Sequence, residues 1–310
     1  MRVAVIDLGT NTFNLLIVDI SPSGEYNSVF NTKTAVKIGE GAMIAGKLLH
    51  EPMERGKKAL SKYKEIIQNH KCDKTFAFAT SGIRSTSNGA DFVFSVKEEL
   101  GLEIQIIDGD EEAQLIFEGV NLAVRFGEES MLVMDIGGGS TEFIIANNSG
   151  VQWKKSYDLG ISRILQMLEP SDPVNDLDLI RLSNLLSEQL HELLAECRRY
   201  GVKTMIGSSG SFDSFAEMMW VEQGINKTTK EVVSEEMNLA NLEGLHSKLI
   251  RNNWNKRSKI PGLVEMRVDT IHLASYLVQW VLDKCSLERL LLSTYALKEG
   301  VLHRVIENRL

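Results

Sequence analysis

One short pattern occurs twice in this chain: an apolar strand, an aspartate, a glycine turn and a second apolar strand. The first copy, "VIDLGTNTFNLLI", surrounds Asp7, and the second copy, "VMDIGGGSTEFII", surrounds Asp135. Glycines and hydroxyl residues recur at the same offset of 128 positions that separates the two aspartates. This repeat constrains the fold strongly, because it predicts two halves that are built alike.

Each copy is followed by the same order of elements. Predicted strands lie at 3–8, 14–20, 26–33, 74–80, 103–107, 131–136, 141–147, 151–157, 202–207 and 287–293. Predicted helices lie at 51–69, 89–100, 109–120, 161–168, 176–199, 236–252, 267–283 and 296–309. Three adjacent strands followed by alternating strands and helices give a mixed sheet with helices packed on it. We therefore predict an α/β fold in which this arrangement is built twice.

Length and charge limit the class of protein. The chain has 310 residues, which is enough for two domains of ordinary size. Its formal net charge of -8 argues against a general nucleic-acid-binding protein, which needs a basic face to neutralise phosphates. Three scattered cysteines without metal-ligand or redox spacing are typical of a reducing cytosol. An apolar stretch at 272–282 is too short to span a bilayer. We expect a cytoplasmic protein whose partners include neither a nucleic acid nor a membrane.

The repeated turn carries the groups that a phosphate and a metal ion need. Glycine lets the backbone approach a ligand closely, and successive N–H groups form an anion-binding concavity. Further donors are the hydroxyls of Thr10, Thr12, Ser140 and Thr141. Asp7 and Asp135, directly before the turns, are candidate ligands of a hydrated Mg²⁺ that bridges phosphate oxygens. Two such turns, facing each other across a cleft, would hold a phosphate chain from both sides.

A plain β-hairpin is the alternative for either copy taken alone, since Asp and Gly are common turn residues. It explains the second copy less well, because three successive glycines cost conformational entropy that a hairpin has no need to lose. The turns also differ from a Walker loop and from a dinucleotide fingerprint. No Gly-Lys-Ser/Thr follows them, and the next element is a strand where both of those motifs require a helix.

Both turns resemble the two phosphate motifs of the superfold that includes actin, heat-shock ATPases and sugar kinases. Further segments closely resemble the exopolyphosphatase and guanosine pentaphosphate phosphatase family (Ppx/GppA): "ATSGIR" at 79–84, "GDEEAQLIFEGV" at 109–120, "GSSGS" at 207–211, "PGLVEMRVD" at 261–269 and "LKEGVL" at 297–302. The resemblance implies two ribonuclease-H-like (actin-like ATPase) domains with mixed sheets, which flank a central cleft. We place these domains at 1–125 and 126–296, with a closing helix at 297–310 that returns to the first domain.

The resemblance also implies roles for three charged residues. Glu112 matches the catalytic glutamate of the family, and such a carboxylate positions a water in line with the terminal phosphorus. Glu142 matches a second residue of the catalytic centre, and Arg84 matches a phosphate-contacting arginine. Each has a structural alternative when the residues are considered alone. Glu112 would then favour the positive end of a helix that Asp110 caps, Glu142 would be an outward-facing strand residue, and Arg84 would lie on the surface.

The predicted site adds the serine-rich loop at 207–211, which opens a helix and whose N–H groups suit an anion. A serine-rich helix cap is the alternative for that loop. The predicted phosphate-binding residues are Thr10, Asn11, Thr12, Arg84, Gly137, Gly138, Gly139, Ser140, Thr141, Gly207, Ser208, Ser209, Gly210 and Ser211. The predicted catalytic residues are Glu112 and Glu142, and the predicted ligands of Mg²⁺ or Mn²⁺ are Asp7 and Asp135.

These features predict a hydrolase that removes the terminal phosphate of inorganic polyphosphate, with guanosine pentaphosphate as the second candidate substrate. A kinase of the same superfold and a non-catalytic sensor of phosphate chains are the alternatives. Thr294 and Tyr295 stand where members of the family commonly have Asp-Gly, which leaves the shape of the second-domain cleft open. The sequence leaves the oligomeric state open as well, a homodimer included.

Overall fold

A computed structural model describes residues 1–310, except for the side chain of Met43. The strands are β1 (Arg2–Leu8), β2 (Thr12–Ile20), β3 (Tyr26–Ala35), β4 (Lys74–Ala79), β5 (Gln105–Ile106), β6 (Met131–Ile136), β7 (Thr141–Asn147), β8 (Gly150–Tyr157), β9 (Thr204–Ser208), β10 (Ser234–Met237) and β11 (Arg289–Ser293). The helices are α1 (Ala42–Ala45), α2 (His50–Asn69), α3 (Ser81–Arg84), α4 (Gly89–Leu100), α5 (Gly109–Ala123), α6 (Ile161–Leu168), α7 (Asp176–Gln189), α8 (His191–Arg199), α9 (Ser209–Glu222), α10 (Leu239–Arg251), α11 (Trp254–Arg257), α12 (Ile271–Lys284) and α13 (Leu297–Ile306). Short 3₁₀ helices lie at Thr229–Glu231 and Glu265–Arg267.

The strands form two mixed sheets that share one plan. The first has the order β3-β2-β1-β4-β5 and the second has the order β10-β11-β9-β6-β7-β8. In each, an antiparallel meander of three strands is extended by parallel strands beside the strand that opens it, and β10 adds an antiparallel edge to the second sheet. This is the ribonuclease-H-like arrangement, and in both copies the opening strand ends at one of the repeated turns. The predicted α/β fold with two such units is confirmed.

The central strands are apolar on both faces because helices cover both faces of the sheets. In β1, Val3 and Val5 belong to a core that lies between the two sheets. The alternating residues Ala4 and Ile6 belong to a separate core on the other face of the first sheet. β1 is therefore packed on both faces, and the first of the repeated turns begins at its end.

Helices α5 and α13 lie between the two sheets. Helix α5 packs on β7 and β8, α13 packs on β1, and the two helices pack on each other. They cross at two glycines. A Cβ on Gly119 would lie 1.9 Å from the carbonyl oxygen of Ala296, and one on Gly300 would lie 1.9 Å from that of Leu115. This helix pair contacts both sheets, so its packing does not divide the chain into two separate parts. The domain boundary near residue 125 stays a prediction.

Several predicted element bounds were wrong, and each has a local cause. The predicted helix at 176–199 is two helices, since α7 ends and α8 begins on either side of Leu190. The predicted helix at 236–252 begins only at α10, because the preceding residues form β10 and pair with β11. The N-cap of α5 is Asp108, which accepts a hydrogen bond from Glu111 N at 2.8 Å, whereas Asp110 lies inside the first turn. Within the described part of the chain, no helix is both long and apolar enough to cross a membrane.

Candidate active site

The two repeated turns close in the same way. Gly9 N donates to Thr12 O at 3.0 Å, and Gly137 N donates to Ser140 O at 3.0 Å. The register of the flanking strands repeats as well, since Asp7 lies opposite Asn14 in the first sheet. Asp135 lies opposite Glu142 in the second sheet. The similarity between the two sequence copies is therefore a similarity of backbone geometry.

The turns approach each other so closely that glycine is required at their contact. A Cβ on Gly138 would lie 2.9 Å from the side-chain amide of Asn11 and from Thr10 Cβ. A Cβ on Gly139 would lie 2.7 Å from Thr10 Oγ1 and from Ser81 Oγ. Cβ atoms do not approach other atoms this closely, so no other residue fits at either position without movement.

The first N–H groups of α6 donate hydrogen bonds to the carbonyl groups of the glycine turn. Ile161 N donates to Gly137 O and Ser162 N donates to Gly138 O, each at 2.9 Å. Within the described residues, no group accepts a hydrogen bond from the N–H of Gly138 or Gly139. Both glycines line the cavity between the turns, so these N–H groups can donate to an anion there.

That cavity has a volume of about 140 Å³ and brings most of the predicted site together. The predicted residues that line it are Asp7, Thr10, Asn11, Thr12, Glu112, Asp135, Gly137, Gly138, Gly139, Ser140, Glu142, Ser209, Gly210 and Ser211. Four predicted residues lie behind its wall: Arg84, Thr141, Gly207 and Ser208.

The residues behind the wall support the ones that line it. Thr141 is buried and its Oγ1 donates to Leu159 O at 2.9 Å, so its hydroxyl is already engaged. A Cβ on Gly207 would lie 2.1 Å from the Phe212 ring, so this glycine allows a close contact with that ring. Ser208 Oγ donates to a cavity carboxylate, Asp135 Oδ2, at 2.7 Å.

The two aspartates before the turns are each held by a neighbouring polar side chain. Asn14 Nδ2 donates to Asp7 Oδ2 at 2.9 Å, and Ser209 Oγ lies 2.7 Å from both carboxylate oxygens of Asp135. Burial raises the pKa of Asp7 to about 6 and also raises the pKa of Asp135. Burying these carboxylates close together costs free energy that a bound cation would offset.

Glu112 enters the cavity from the first turn of α5 and pairs with Arg84. Arg84 Nη1 donates to Glu112 Oε2 at 2.7 Å and to Ile107 O at 3.0 Å. Burial raises the pKa of Glu112 to about 7, although the Arg84 charge lowers it. The first-turn position alone would suggest a helix-dipole role, but Glu112 is only 7% exposed and it faces the cavity.

Glu142 lies on β7 and faces inward, where it is 1% exposed. Ser156 Oγ donates to Glu142 Oε1 at 2.7 Å. Burial, reinforced by the charge of Glu112, raises the pKa of Glu142 well above its ordinary value. The alternative of an outward-facing strand residue is excluded by this burial.

Several cavity residues were missing from the sequence-based prediction. Ser81 Oγ is buried and, within the described residues, has no hydrogen-bond partner. Ser81 lies inside the motif at 79–84, so that motif could have identified it as a site residue. Asn14 occupies the place in the first copy that Glu142 occupies in the second, and the repeat could have identified it. Arg267 and Lys298 also line the cavity, and they lie inside the motifs at 261–269 and 297–302, which could have identified them.

The donor set of the cavity fits a hard divalent cation. Within the described residues, no group of three His, Cys, Asp or Glu side chains is arranged to hold a metal ion by itself. Mg²⁺ needs fewer protein ligands, because it keeps several waters and shares phosphate oxygens of its substrate. Asp7 and Asp135, one from each turn, would supply the protein oxygens beside the anion-binding N–H groups.

Comparison with known proteins shows what the whole chain is similar to. The model of the Ppx/GppA phosphatase family matches residues 16–309. An exopolyphosphatase from Cytophaga hutchinsonii ATCC 33406 is 35% identical in sequence, with a TM-score of 0.96 over 99% of this chain and 98% of that chain. A Ppx/GppA family member from Aquifex aeolicus is 23% identical, with a TM-score of 0.81 over 100% of this chain and 99% of that chain. At that identity the second similarity shows the fold alone.

Proposed function

Because the chain belongs to the Ppx/GppA phosphatase family, we propose that it is an exopolyphosphatase that uses Mg²⁺ or Mn²⁺ to hydrolyse the terminal phosphate of inorganic polyphosphate. The observation that carries this proposal is the position of Glu112. It lines the same cavity as both anion-binding turns, and Arg84 holds one of its oxygens at 2.7 Å. The similar chain from Cytophaga hutchinsonii, itself described as an exopolyphosphatase, supports the choice of substrate.

The residues of the cavity suit an in-line attack by water. The N–H groups of Gly138 and Gly139, with Thr10, Thr12 and Ser140, bind and orient the terminal phosphates. A metal ion held by Asp7 and Asp135 would neutralise charge that develops on phosphate oxygens. The remaining step, removal of a proton from the attacking water, depends on the carboxylates of the cavity.

Glu112 is the proposed general base. It positions the attacking water and takes its proton as the oxygen–phosphorus bond forms and the bridging phosphoanhydride bond breaks. The products are inorganic phosphate and a chain shorter by one unit. With its pKa raised to about 7, Glu112 can take up a proton near neutral pH more readily than an ordinary carboxylate. Glu142, whose pKa is raised by burial and by the charge of Glu112, lies beside this base and helps to orient the water.

Guanosine pentaphosphate is the second candidate, since it presents the same phosphoanhydride chemistry to the same cavity. A kinase would need an acceptor site beside the cavity, and a sensor would have no use for the Arg84–Glu112 pair. The test is phosphate release from long polyphosphate, tripolyphosphate, guanosine pentaphosphate and ATP, measured side by side. We expect the highest kcat/KM with a polyphosphate. A clear preference for the nucleotide would replace the proposal with its second candidate, and no release from any of the four would refute hydrolysis.

A further inference from the structure

A second cavity lies behind the contact between the two repeated turns, and we call it the rear cavity. Its volume of about 140 Å³ is well above the roughly 10–15 Å³ that one water molecule needs. Thr10, Gly138 and Gly139 line both this cavity and the catalytic cavity, so the two turns form the wall between them. A small ion in the catalytic cavity is therefore one layer of residues away from a second space.

The side chain of Thr10 fills that wall, and glycines surround it. A Cβ on Gly39 would lie 2.4 Å from Thr10 Cγ2, and one on Gly82 would lie 2.7 Å from Thr10 Oγ1. From the second turn, a Cβ on Gly138 would lie 2.9 Å from Thr10 Cβ. A Cβ on Gly139 would lie 2.7 Å from Thr10 Oγ1. One small side chain, packed against four glycines, thus separates the two cavities.

The two cavities differ in the charge of their walls. Asp7 and Asp135 directly precede the turns, and Glu112 and Glu142 line the same catalytic cavity. Within the described residues, no carboxylate lines the rear cavity, and its one charged residue is Arg163. Phosphate released beside the carboxylates is repelled by them, whereas the guanidinium of Arg163 attracts it. The difference in charge favours movement of the anion towards the rear cavity.

Arg163 is held in place by its neighbours and keeps a donor for an anion. Its Nε donates to Gly139 O at 2.8 Å, and its Nη2 donates to Ser85 Oγ at 3.1 Å. Asp158 pairs with Nη2 at 3.0 Å, but its side chain is 70% exposed, so it neutralises the buried cation only in part. In the described part of the chain, Nη1 donates to no group. This nitrogen can therefore donate to a phosphate oxygen.

The rear cavity also contains an unpaired acceptor and reaches the protein surface. Gln166 Oε1 is buried and, among the described residues, has no hydrogen-bond partner. Inorganic phosphate that keeps one proton carries a hydroxyl, which can donate to this oxygen. Gly46 and Ser85 also line the cavity and are exposed, so the cavity opens to solvent.

The substrate has a different way in. The wide opening of the catalytic cavity lies beside Lys33, Arg267 and Lys298, which also line a surface groove of about 750 Å³. None of the described residues of the rear cavity lines that groove. Once a terminal phosphate has been split off, the shortened chain lies between this phosphate and the wide opening. The released ion can then leave either after the chain has dissociated or through the wall at Thr10.

We propose that the product, inorganic phosphate, leaves through the rear cavity, where it binds to Arg163 and Gln166 on its way to solvent. The inference rests on the proposed function and adds a product route to it. Thr10 has to move aside for each phosphate, so its side chain is a gate between the two cavities. The chain can stay bound while the phosphate leaves, and the rate of phosphate release depends on the residues of the rear cavity.

Two variants change the rear cavity at residues that do not line the catalytic cavity. Ser85→Asp places a carboxylate beside Arg163, and Ala42→Leu adds a larger side chain to the wall of the rear cavity. The matched controls are Ser87→Asp and Ala45→Leu, which make the same changes at exposed positions outside both cavities.

Formation and release of phosphate are measured separately in the first turnovers with a long linear polyphosphate. Acid quenching counts all phosphate that has formed, and a fluorescent phosphate sensor counts only the phosphate that is free in solution. We expect Ser85→Asp and Ala42→Leu to form phosphate at the wild-type rate and to release it about three- to tenfold more slowly. The effect of Ser85→Asp should weaken at high salt, and both controls should match the wild type.

The same data separate this inference from the proposed function. Free phosphate that follows total phosphate as closely in both variants as in the controls would overturn the product route and leave hydrolysis intact. Slower formation without added delay in release would also overturn it, because the changes would then act on the chemical step. If Ala42→Leu does not fold, Ser85→Asp decides, since it changes an exposed residue. No quenched phosphate from the wild type with any of the four substrates would refute the proposed function and the route with it.

Discussion

Arg84 and Glu112 form an ion pair of 2.7 Å at the catalytic cavity, where Glu112 lines the wall and Arg84, 28 positions earlier in the sequence, lies behind it. Arg84 ends α3, directly after β4, and Glu112 lies in the first turn of α5. The guanidinium also donates to Ile107 O at 3.0 Å, so the protein fixes its position. Arg84 therefore holds one oxygen of Glu112, and we expect the carboxylate to keep a defined direction towards bound water.

Glu112→Gln should reduce kcat by about 10²–10⁴ while polyphosphate binding is retained, because Gln keeps the shape but cannot accept a proton. Stopped assays for kcat and titration calorimetry for binding measure the two effects. Asp110→Asn is the matched control, since it removes a carboxylate from the same helix turn at an exposed position. Equal losses in both variants would point to the helix dipole in place of a catalytic base.

Turnover should require a divalent cation, and the binding of that cation should depend on Asp7 and Asp135. Chelation should abolish phosphate release, and Mg²⁺ or Mn²⁺ should restore it. Asp7→Asn should raise the Mg²⁺ concentration needed for half-maximal activity and weaken Mg²⁺ binding measured calorimetrically. Asp19→Asn serves as the control, because Asp19 lies at the end of β2 away from the turn and pairs with Arg2. Activity that survives exhaustive chelation would rule out the metal role.

Gly300→Ala should destabilise the protein by about 1–3 kcal/mol, because an added Cβ would lie 1.9 Å from Leu115 O at the crossing of α5 and α13. Gly244→Ala is the control within α10, since nothing lies within 4 Å of the added atom there. That change should stabilise the protein by about 0.5–1 kcal/mol, the helix preference of Ala over Gly. Denaturant unfolding measures both, and equal effects would contradict the close helix crossing.

His272 should make stability depend on pH between about 4 and 6.5. Burial, reinforced by the Arg257 charge, lowers its pKa from 6.5 to about 4, while Asp172 and Asp269 oppose the shift. The unfolded chain binds the proton first as pH falls, so this contribution is fully present above pH 6.5 and is lost towards pH 4. The loss amounts to about 3 kcal/mol.

His272→Leu should flatten this part of the pH profile of unfolding free energy, measured by urea titration. The control is His50→Gln, which replaces an exposed histidine at the start of α2 and should keep the wild-type slope. A His272→Leu profile that still falls by the wild-type amount would show that other groups cause the dependence.

The sequence predicted those parts of the molecule that local pattern and the internal repeat determine. The two turns and the three-strand meanders follow from apolar alternation and from the offset between the copies, whereas the place of Glu142 in the site was implied by the family resemblance alone. β10 was missed because four residues become a strand only through pairing with β11. The break at Leu190 between α7 and α8 was missed because the hydrophobic pattern continues across it.

The site was predicted best beside the two repeated turns and least well where packing between distant segments decides what a side chain contacts. Ser208 was expected to bind phosphate, yet its hydroxyl donates to Asp135 at 2.7 Å, a contact that depends on the register between β6 and β9. Lys298 reaches the cavity because α13 packs on β1 at the other end of the chain. Arg267 reaches it through its contact with Gly210. No spacing in the sequence encodes these long-range approaches.

In the proposed reaction, a water positioned by Glu112 attacks the terminal phosphorus. The most direct test is hydrolysis of polyphosphate in oxygen-isotope-labelled water, followed by mass analysis of the released phosphate. We expect one labelled oxygen in each phosphate released, and loss of that product in Glu112→Gln. Released phosphate without label, or phosphate transferred to an acceptor other than water, would contradict it.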